Sequence, residues 1–99
     1  MTAGDVINLI SAIPVASATN YQPAVGVEVV VLSGMGLDSQ NRFGLFNGTL
    51  YAMWSSITSN AGWRDGFGKM TINNTNYLQM QNTDAANIQN GGFSGVQTK

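Results

Sequence analysis

Val25-Gly26-Val27-Glu28-Val29-Val30-Val31-Leu32 is the stretch whose reading decides the fold. In an extended chain, Val25, Val27, Val29 and Val31 point to one side, and Glu28, Val30 and Leu32 to the other. β-branched side chains fit a pleated surface. A strand apolar on both sides belongs in the middle of a sheet or beneath a neighbouring subunit. Gly34-Met35-Gly36 then reads as the turn that ends this strand.

Outward from this stretch, short β-prone runs alternate with Gly, Asn and Ser turns at roughly 8–12-residue spacing, the pattern of an all-β sandwich or barrel. Asn47-Gly48 is the preferred pair for a two-residue hairpin turn. It sets Leu45 against Leu50 and Phe43 against Ala52, with Phe46, Tyr51 and Met53 on the other side and Tyr51 opposite Gly44, an aromatic over a strand glycine. Lys69 to Ile72 and Tyr77 to Gln81 read as a second hairpin. Keeping Met70 and Ile72 on the face of Leu78 and Met80 requires a loop of three or five residues, with Gln79 and Gln81 pointing outward. Phe93 to Thr98 reads as the last strand. Val15 to Pro23, Ser55 to Gly68 and Asp84 to Gly92 read as connections, with turns at Asn60-Ala61-Gly62 and Asp65-Gly66. Val6 to Ile13 fits a strand, and its Val6, Leu9, Ile10 and Ile13 also fit a helical face capped by Asp5. The expectation is all-β: residues 1–99 as a single β domain, an antiparallel sandwich or compact barrel of 6–8 short strands. Residues 1–14 form either its first strand or a contact arm.

The composition narrows function. The 99 residues contain no His and no Cys, nine are charged, and Asn, Gln, Ser and Thr make up a third. Little remains to titrate, to attack a substrate or to hold a metal, so the reading is no enzyme, no cofactor and no metal. The net charge of −1 argues against nucleic acid and anionic membranes as partners. No apolar run approaches the ~20 residues of a membrane span, and Met1-Thr2-Ala3-Gly4-Asp5 lacks the basic start of a secretory signal. So few charges suit a surface covered by other subunits.

Several segments invite a chemical reading. Gly34-Met35-Gly36 after a Val-rich run superficially matches a dinucleotide fingerprint, but the third glycine position is Ser39 and no helix pattern follows. Asp38-Ser39-Gln40-Asn41 offers oxygen ligands without the acid density of a calcium loop. The five acids, Asp5, Glu28, Asp38, Asp65 and Asp84, are far apart, and three sit at turns where Asp caps its own backbone. Asn47-Gly48-Thr49 and Asn73-Asn74-Thr75 match the glycosylation pattern, and turn chemistry accounts for both. Trp63-Arg64-Asp65-Gly66-Phe67-Gly68-Lys69 interleaves aromatic and basic residues, as single-strand nucleic-acid modules do. Trp63, Arg64, Tyr77 and Gln79 make a candidate ligand loop, and Tyr77, Gln79 and Gln81 a candidate carbohydrate row, the glutamine amides suiting sugar hydroxyls and the tyrosine ring the sugar face.

The chain resembles small β-rich virion structural proteins of tailed bacteriophages, of the capsid decoration or cement type. The segments that carry the resemblance are Gln22-Pro23-Ala24-Val25-Gly26-Val27-Glu28-Val29-Val30-Val31, Asn47-Gly48-Thr49, Ile72-Asn73-Asn74-Thr75-Asn76-Tyr77-Leu78 and Gly92-Phe93-Ser94-Gly95-Val96-Gln97-Thr98-Lys99. It implies a virion component assembled in the host cytoplasm, a homo-oligomer, often a trimer, seated on the major capsid protein or other virion subunits. It equally implies a tail or fibre component, for which a carbohydrate-binding adhesin module is the alternative function. A single-strand nucleic-acid-binding barrel is the third. The expected subunit and partner interface comprises Val6, Ile7, Leu9, Ile10, Val30, Leu32, Phe46, Tyr51 and Met53.

Overall fold

The computed structural model describes residues 3–36, 41–55 and 63–99, with the side chains of 54, 55 and 63–69 outside that description. Eight strands form two antiparallel four-stranded sheets: β1 (Val6–Ile13), β2 (Ser17–Tyr21), β3 (Val29–Gly36), β4 (Asn41–Phe46), β5 (Tyr51–Ser55), β6 (Trp63–Ile72), β7 (Tyr77–Asn82) and β8 (Gln89–Gln97). The order is β1-β8-β3-β6 in sheet A and β2-β7-β4-β5 in sheet B. No helix occurs among the described residues. The expected β-sandwich is the fold. Its strand order is that of an eight-stranded jelly roll.

Between the sheets lie Ile13, Val29, Val31, Phe43, Ile72, Leu78, Met80 and Phe93, all buried. Each is the inward-facing member of a strand alternation, so period two in the sequence becomes one apolar layer per sheet. Tyr21 packs its ring on Phe93 at a centroid distance of 4.9 Å.

Local chemistry sets the strand ends. Gly26 has φ +85°, and Val27 N–H donates to the Ala24 carbonyl at 3.0 Å. Val25 and Gly26 therefore occupy a turn after Pro23, and the Val-rich strand begins at Val29 rather than Val25. It also runs through Gly34-Met35-Gly36, which is not a turn: Gly34 is buried directly across from Phe93.

The Asn47 hairpin joins β4 to β5, with a register two residues from the expected one. Phe46 pairs with Tyr51 and Leu45 with Ala52. Asn47 causes the shift. Its Oδ1 accepts the N–H groups of Thr49 and Leu50 at 3.0 and 2.7 Å, while its own N–H donates to the Leu50 carbonyl at 3.2 Å. This side-chain turn lengthens the loop to Asn47–Leu50. A slip of two keeps the side chains of both strands on their expected faces, while Leu50 passes into the loop.

The expected second hairpin does not exist. β6 lies in sheet A and β7 in sheet B, so the Asn73–Asn76 link crosses between sheets and needs no parity. Asn73 repeats the Asn47 geometry, its Oδ1 accepting from Thr75 and Asn76 N–H at 3.0 and 2.9 Å. Asp84 does the same with Ala86 and Asn87, at 2.8 and 3.2 Å.

Other elements also differ from the sequence reading. Residues 17–21 of the expected Val15–Pro23 connection form β2. Trp63 to Gly68 is backbone of β6 rather than a loop, and β8 begins at Gln89 rather than Phe93. Val6 to Ile13 is a strand and not a helix. The Asp38-Ser39-Gln40 and Asn60-Ala61-Gly62 readings lie outside the described residues.

Candidate functional site

The two outer faces of the sandwich carry the residues singled out in the sequence, and they divide them. Val6, Ile10, Val30 and Leu32 lie on the outer side of sheet A. Phe46, Tyr51 and Met53 lie on the outer side of sheet B. Ile7 and Leu9, expected at the interface, instead alternate inward on β1 and pack against the core.

On sheet A, the ladder aligns Val6, Val96, Val30 and Thr71 as one row across four strands. Ile10, Gly92, Met35 and Arg64 form another row, with Arg64 placed by its backbone only. Val6 is 68 % exposed and Ile10 79 %. Leu32 follows Val30 outward by alternation, and the slip in register between Val31 and Ser33 brings Ser33 and Met35 to the same side. A Cβ at Gly92 would stand 2.5 Å from the Leu9 carbonyl oxygen, so glycine there permits the close approach of β1 to β8. The missing side chain leaves a shallow apolar notch of about 160 Å³ beside Ile10 and Met35. The first row contains no charged residue, and the second carries one, Arg64, at its β6 end.

Sheet B is built differently. Its outer rows are Ala18, Gln81 and Arg42; Asn20, Gln79, Gly44 and Met53; and Tyr77, Phe46 and Tyr51. The amides are joined in series. Gln81 Nε2 donates to Gln79 Oε1 at 2.9 Å, and Gln79 Nε2 donates to Asn20 Oδ1 at 3.0 Å. Gln79 points away from the core, as expected, yet its neighbours bury it to 8 % exposure. Two Tyr51 ring atoms lie 2.7 Å from where a Gly44 Cβ would stand, so the ring occupies the space of the absent side chain. The Tyr51 hydroxyl is enclosed without a hydrogen-bond partner among the described residues. Burial pushes this phenol up to about 12, against a smaller downward pull from the Arg42 charge. Tyr77 meets Phe46 edge-on at 5.8 Å. Beside the amide row, Ala16, Ser17, Ala18, Gln81, Asn82 and Thr83 line an open trough of about 440 Å³.

Of the candidate ligand loop, Tyr77 and Gln79 belong to this face. Trp63 and Arg64 are placed by backbone only, opposite Gly36 and Met35 in sheet A. The structure therefore puts the four residues in different sheets and does not assemble them into one loop.

Two polar clusters missed in the sequence are structural. The Asn82 amide donates to the carbonyls of Ile13, Pro14 and Asn87, each at 3.0 Å, and its Oδ1 accepts from Asp84 N–H at 2.8 Å. It ties the β1–β2 link to the β7–β8 link. The Asp84 carboxylate is held below its ordinary range, first by Ala86 N–H and then by the Asn87 side chain. Its Oδ2 accepts from the Asn87 and Gln89 amides at 3.2 and 3.1 Å. An Asn followed by an Asp two residues on, next to a strand end, is the faint sequence signal of this arrangement.

No family model matches this chain, and no curated protein matches it.

Proposed function

We propose that this protein is a non-catalytic structural component of a virion that decorates or cements the capsid by docking the outer face of sheet A on the major capsid protein. The supporting observation is that face itself: the Val6, Val96, Val30 and Thr71 row is uncharged, the Ile10, Gly92 and Met35 row meets a charge only at Arg64 on β6, and Val6 and Ile10 are largely exposed. Exposed apolar residues clustered in one patch mark interaction sites, and the resemblance to phage decoration proteins supplies the kind of partner. Jelly-roll sandwiches occur in viral capsid and lectin domains alike, so fold by itself favours neither. The test is cosedimentation with capsids lacking this protein, together with their thermal rupture. Wild type should bind and raise the rupture temperature. Val30→Lys should fold normally and do neither. Equal binding by both proteins sinks the reading.

One observation favours the second reading, a carbohydrate-binding tail or fibre module. The Asn20–Gln79–Gln81 amides are oriented by one another beside an open trough, and fixed amides of that kind suit sugar hydroxyls. A glycan array should then give a defined hit that Gln81→Ala abolishes. A silent array leaves the capsid reading alone.

A further inference from the structure

A sandwich has four strand edges, and an open edge presents unpaired N–H and C=O groups to any other chain. Three of the four edges here carry familiar protection. β2 is five residues long and is followed closely by Pro23. β5 is five residues long and its register slips against β4. β6 carries Arg64, Asp65 and Lys69, and its ladder to β3 is also interrupted. β1 has none of these features. It runs eight residues, Val-Ile-Asn-Leu-Ile-Ser-Ala-Ile, without a charge, a proline or a break in register from Val6↔Val96 to Ile13↔Gln89. Among the described residues, β8 is its only ladder partner.

The bonding phase is fixed at one end. Gln97 N–H donates to the Asp5 carbonyl at 3.0 Å. Antiparallel ladders use alternate residues, so Ile7, Leu9, Ser11 and Ile13 bond to β8. The N–H and C=O groups of Val6, Asn8, Ile10 and Ala12 then point to the open edge. These four residues also carry the side chains of the outer face.

We propose that the open edge of β1 pairs antiparallel with the β1 edge of a second copy of this chain, about a two-fold axis at Leu9. Centred there, Val6 faces Ala12 of the second copy and Asn8 faces its Ile10, so every open backbone group of both strands is paired. A shift of one residue would set outer faces against inner ones. An uncharged strand meets its own copy without like-charge repulsion, and that is why the occupant is another copy of this chain. The axis stands perpendicular to the sheet, so the two four-stranded sheets become one continuous sheet and both apolar outer faces look the same way. An isologous contact of this kind closes at two copies, in place of the trimer expected from the resemblance. The pairing does not depend on what the outer face binds.

The full-length protein in light scattering, from micromolar to millimolar, should pass from monomer to dimer. Over that range the Asn8, Ile10 and Ala12 amides should slow in hydrogen exchange by on the order of tenfold or more, while Leu9, already bonded to β8, changes little. Asn8→Pro removes an open-edge donor at a place where a strand tolerates proline, and should hold the chain monomeric with the Leu9 amide still protected. Ile10→Lys brings two charges together near the axis and should also give a folded monomer; it decides the matter if Asn8→Pro fails to fold. A wild-type monomer at millimolar concentration overturns the proposal. So does a trimer, a dimer in which the three amides exchange as in the monomer, or a dimer that survives Ile10→Lys.

Discussion

The outer faces of the two sheets are built on the same backbone plan and differ in how they treat their own side chains. On sheet B, side chains engage one another: three amides bond in series, Tyr51 covers Gly44, and Tyr77 abuts Phe46. On sheet A, Val6 and Ile10 stand out largely exposed, and the edge beside them is open. A face whose amides bond to one another is stable when wet. A face of exposed Val, Ile and Met gains free energy when covered. The contrast is the ground for proposing sheet A as the assembly surface, and substitutions on the two faces should therefore separate stability from association.

The largest effect is expected where each face is flattened by glycine. Gly44→Ala drives a methyl group into the Tyr51 ring and the Ala52 carbonyl, and Gly92→Ala drives one into the Leu9 carbonyl. Overpacking of this kind costs about 1–3 kcal/mol, measurable by urea unfolding. Adding Tyr51→Ala to Gly44→Ala should recover only part of the loss, because the backbone contact remains. Full recovery would mean that the ring alone sets the constraint.

Next come the amides. Asn20→Ala leaves the buried Gln79 Nε2 without its acceptor and should cost about 1–2 kcal/mol. Asn8→Ala, at an exposed position on sheet A, should change stability by less than about 0.5 kcal/mol. Equal costs would erase the distinction between the faces.

Titration gives a smaller signal. The folded protein holds the Tyr51 proton up to about 12, against an ordinary value of 10.0. The unfolded chain therefore ionises first, and stability should be level below pH 10.0 and fall as pH rises toward 12. Burial shifts Tyr21 in the same direction, so Tyr51→Phe should reduce the alkaline loss without abolishing it. Thermal melts across that range provide the check. A loss unchanged by Tyr51→Phe would place the burden elsewhere.

The smallest effect is at acid pH. Asp84 titrates below its ordinary 3.8 because backbone and side-chain amides bond its charged form. Its contribution is present above that value and is lost as pH falls through the lower folded value. Asp84→Asn, which keeps an Oδ1 acceptor, should flatten the acid limb of the melting curve slightly. An identical limb in the variant would remove Asp84 from the account.

Alternation and turn chemistry were legible in the chain itself. They placed a strand at Val6–Ile13, another overlapping residues 29–32, and the hairpin at Asn47; Tyr51 does lie over Gly44, but from the position opposite Phe46, while Gly44 pairs with Met53. These features depend on neighbours a few residues apart, where the period of two and the bonding of Asn or Asp to its own backbone act directly. β2 escaped notice because Ser17-Ala18-Thr19-Asn20-Tyr21 has no apolar alternation and is held as a strand by pairing with β7. The Lys69–Ile72 and Tyr77–Gln81 runs were joined as a hairpin because they adjoin in sequence, while their hydrogen-bond partners lie far along the chain.

The sequence by itself determined that this protein is made of strands, where several turn, and, in the strands free of register slips that it revealed, which residues share a side. Only the tertiary structure decided which of two apolar sides became core: it turned Ile7 and Leu9 inward and left Val6 and Ile10 outside. It also buried Gln79 on an outer face and left β1 as an open edge. The physical reason is that a strand's alternation defines two sides of equal standing, and its hydrogen bonds are completed only by chains remote in sequence. Inside, outside, edge and centre are therefore assigned by the sheet that assembles around the strand.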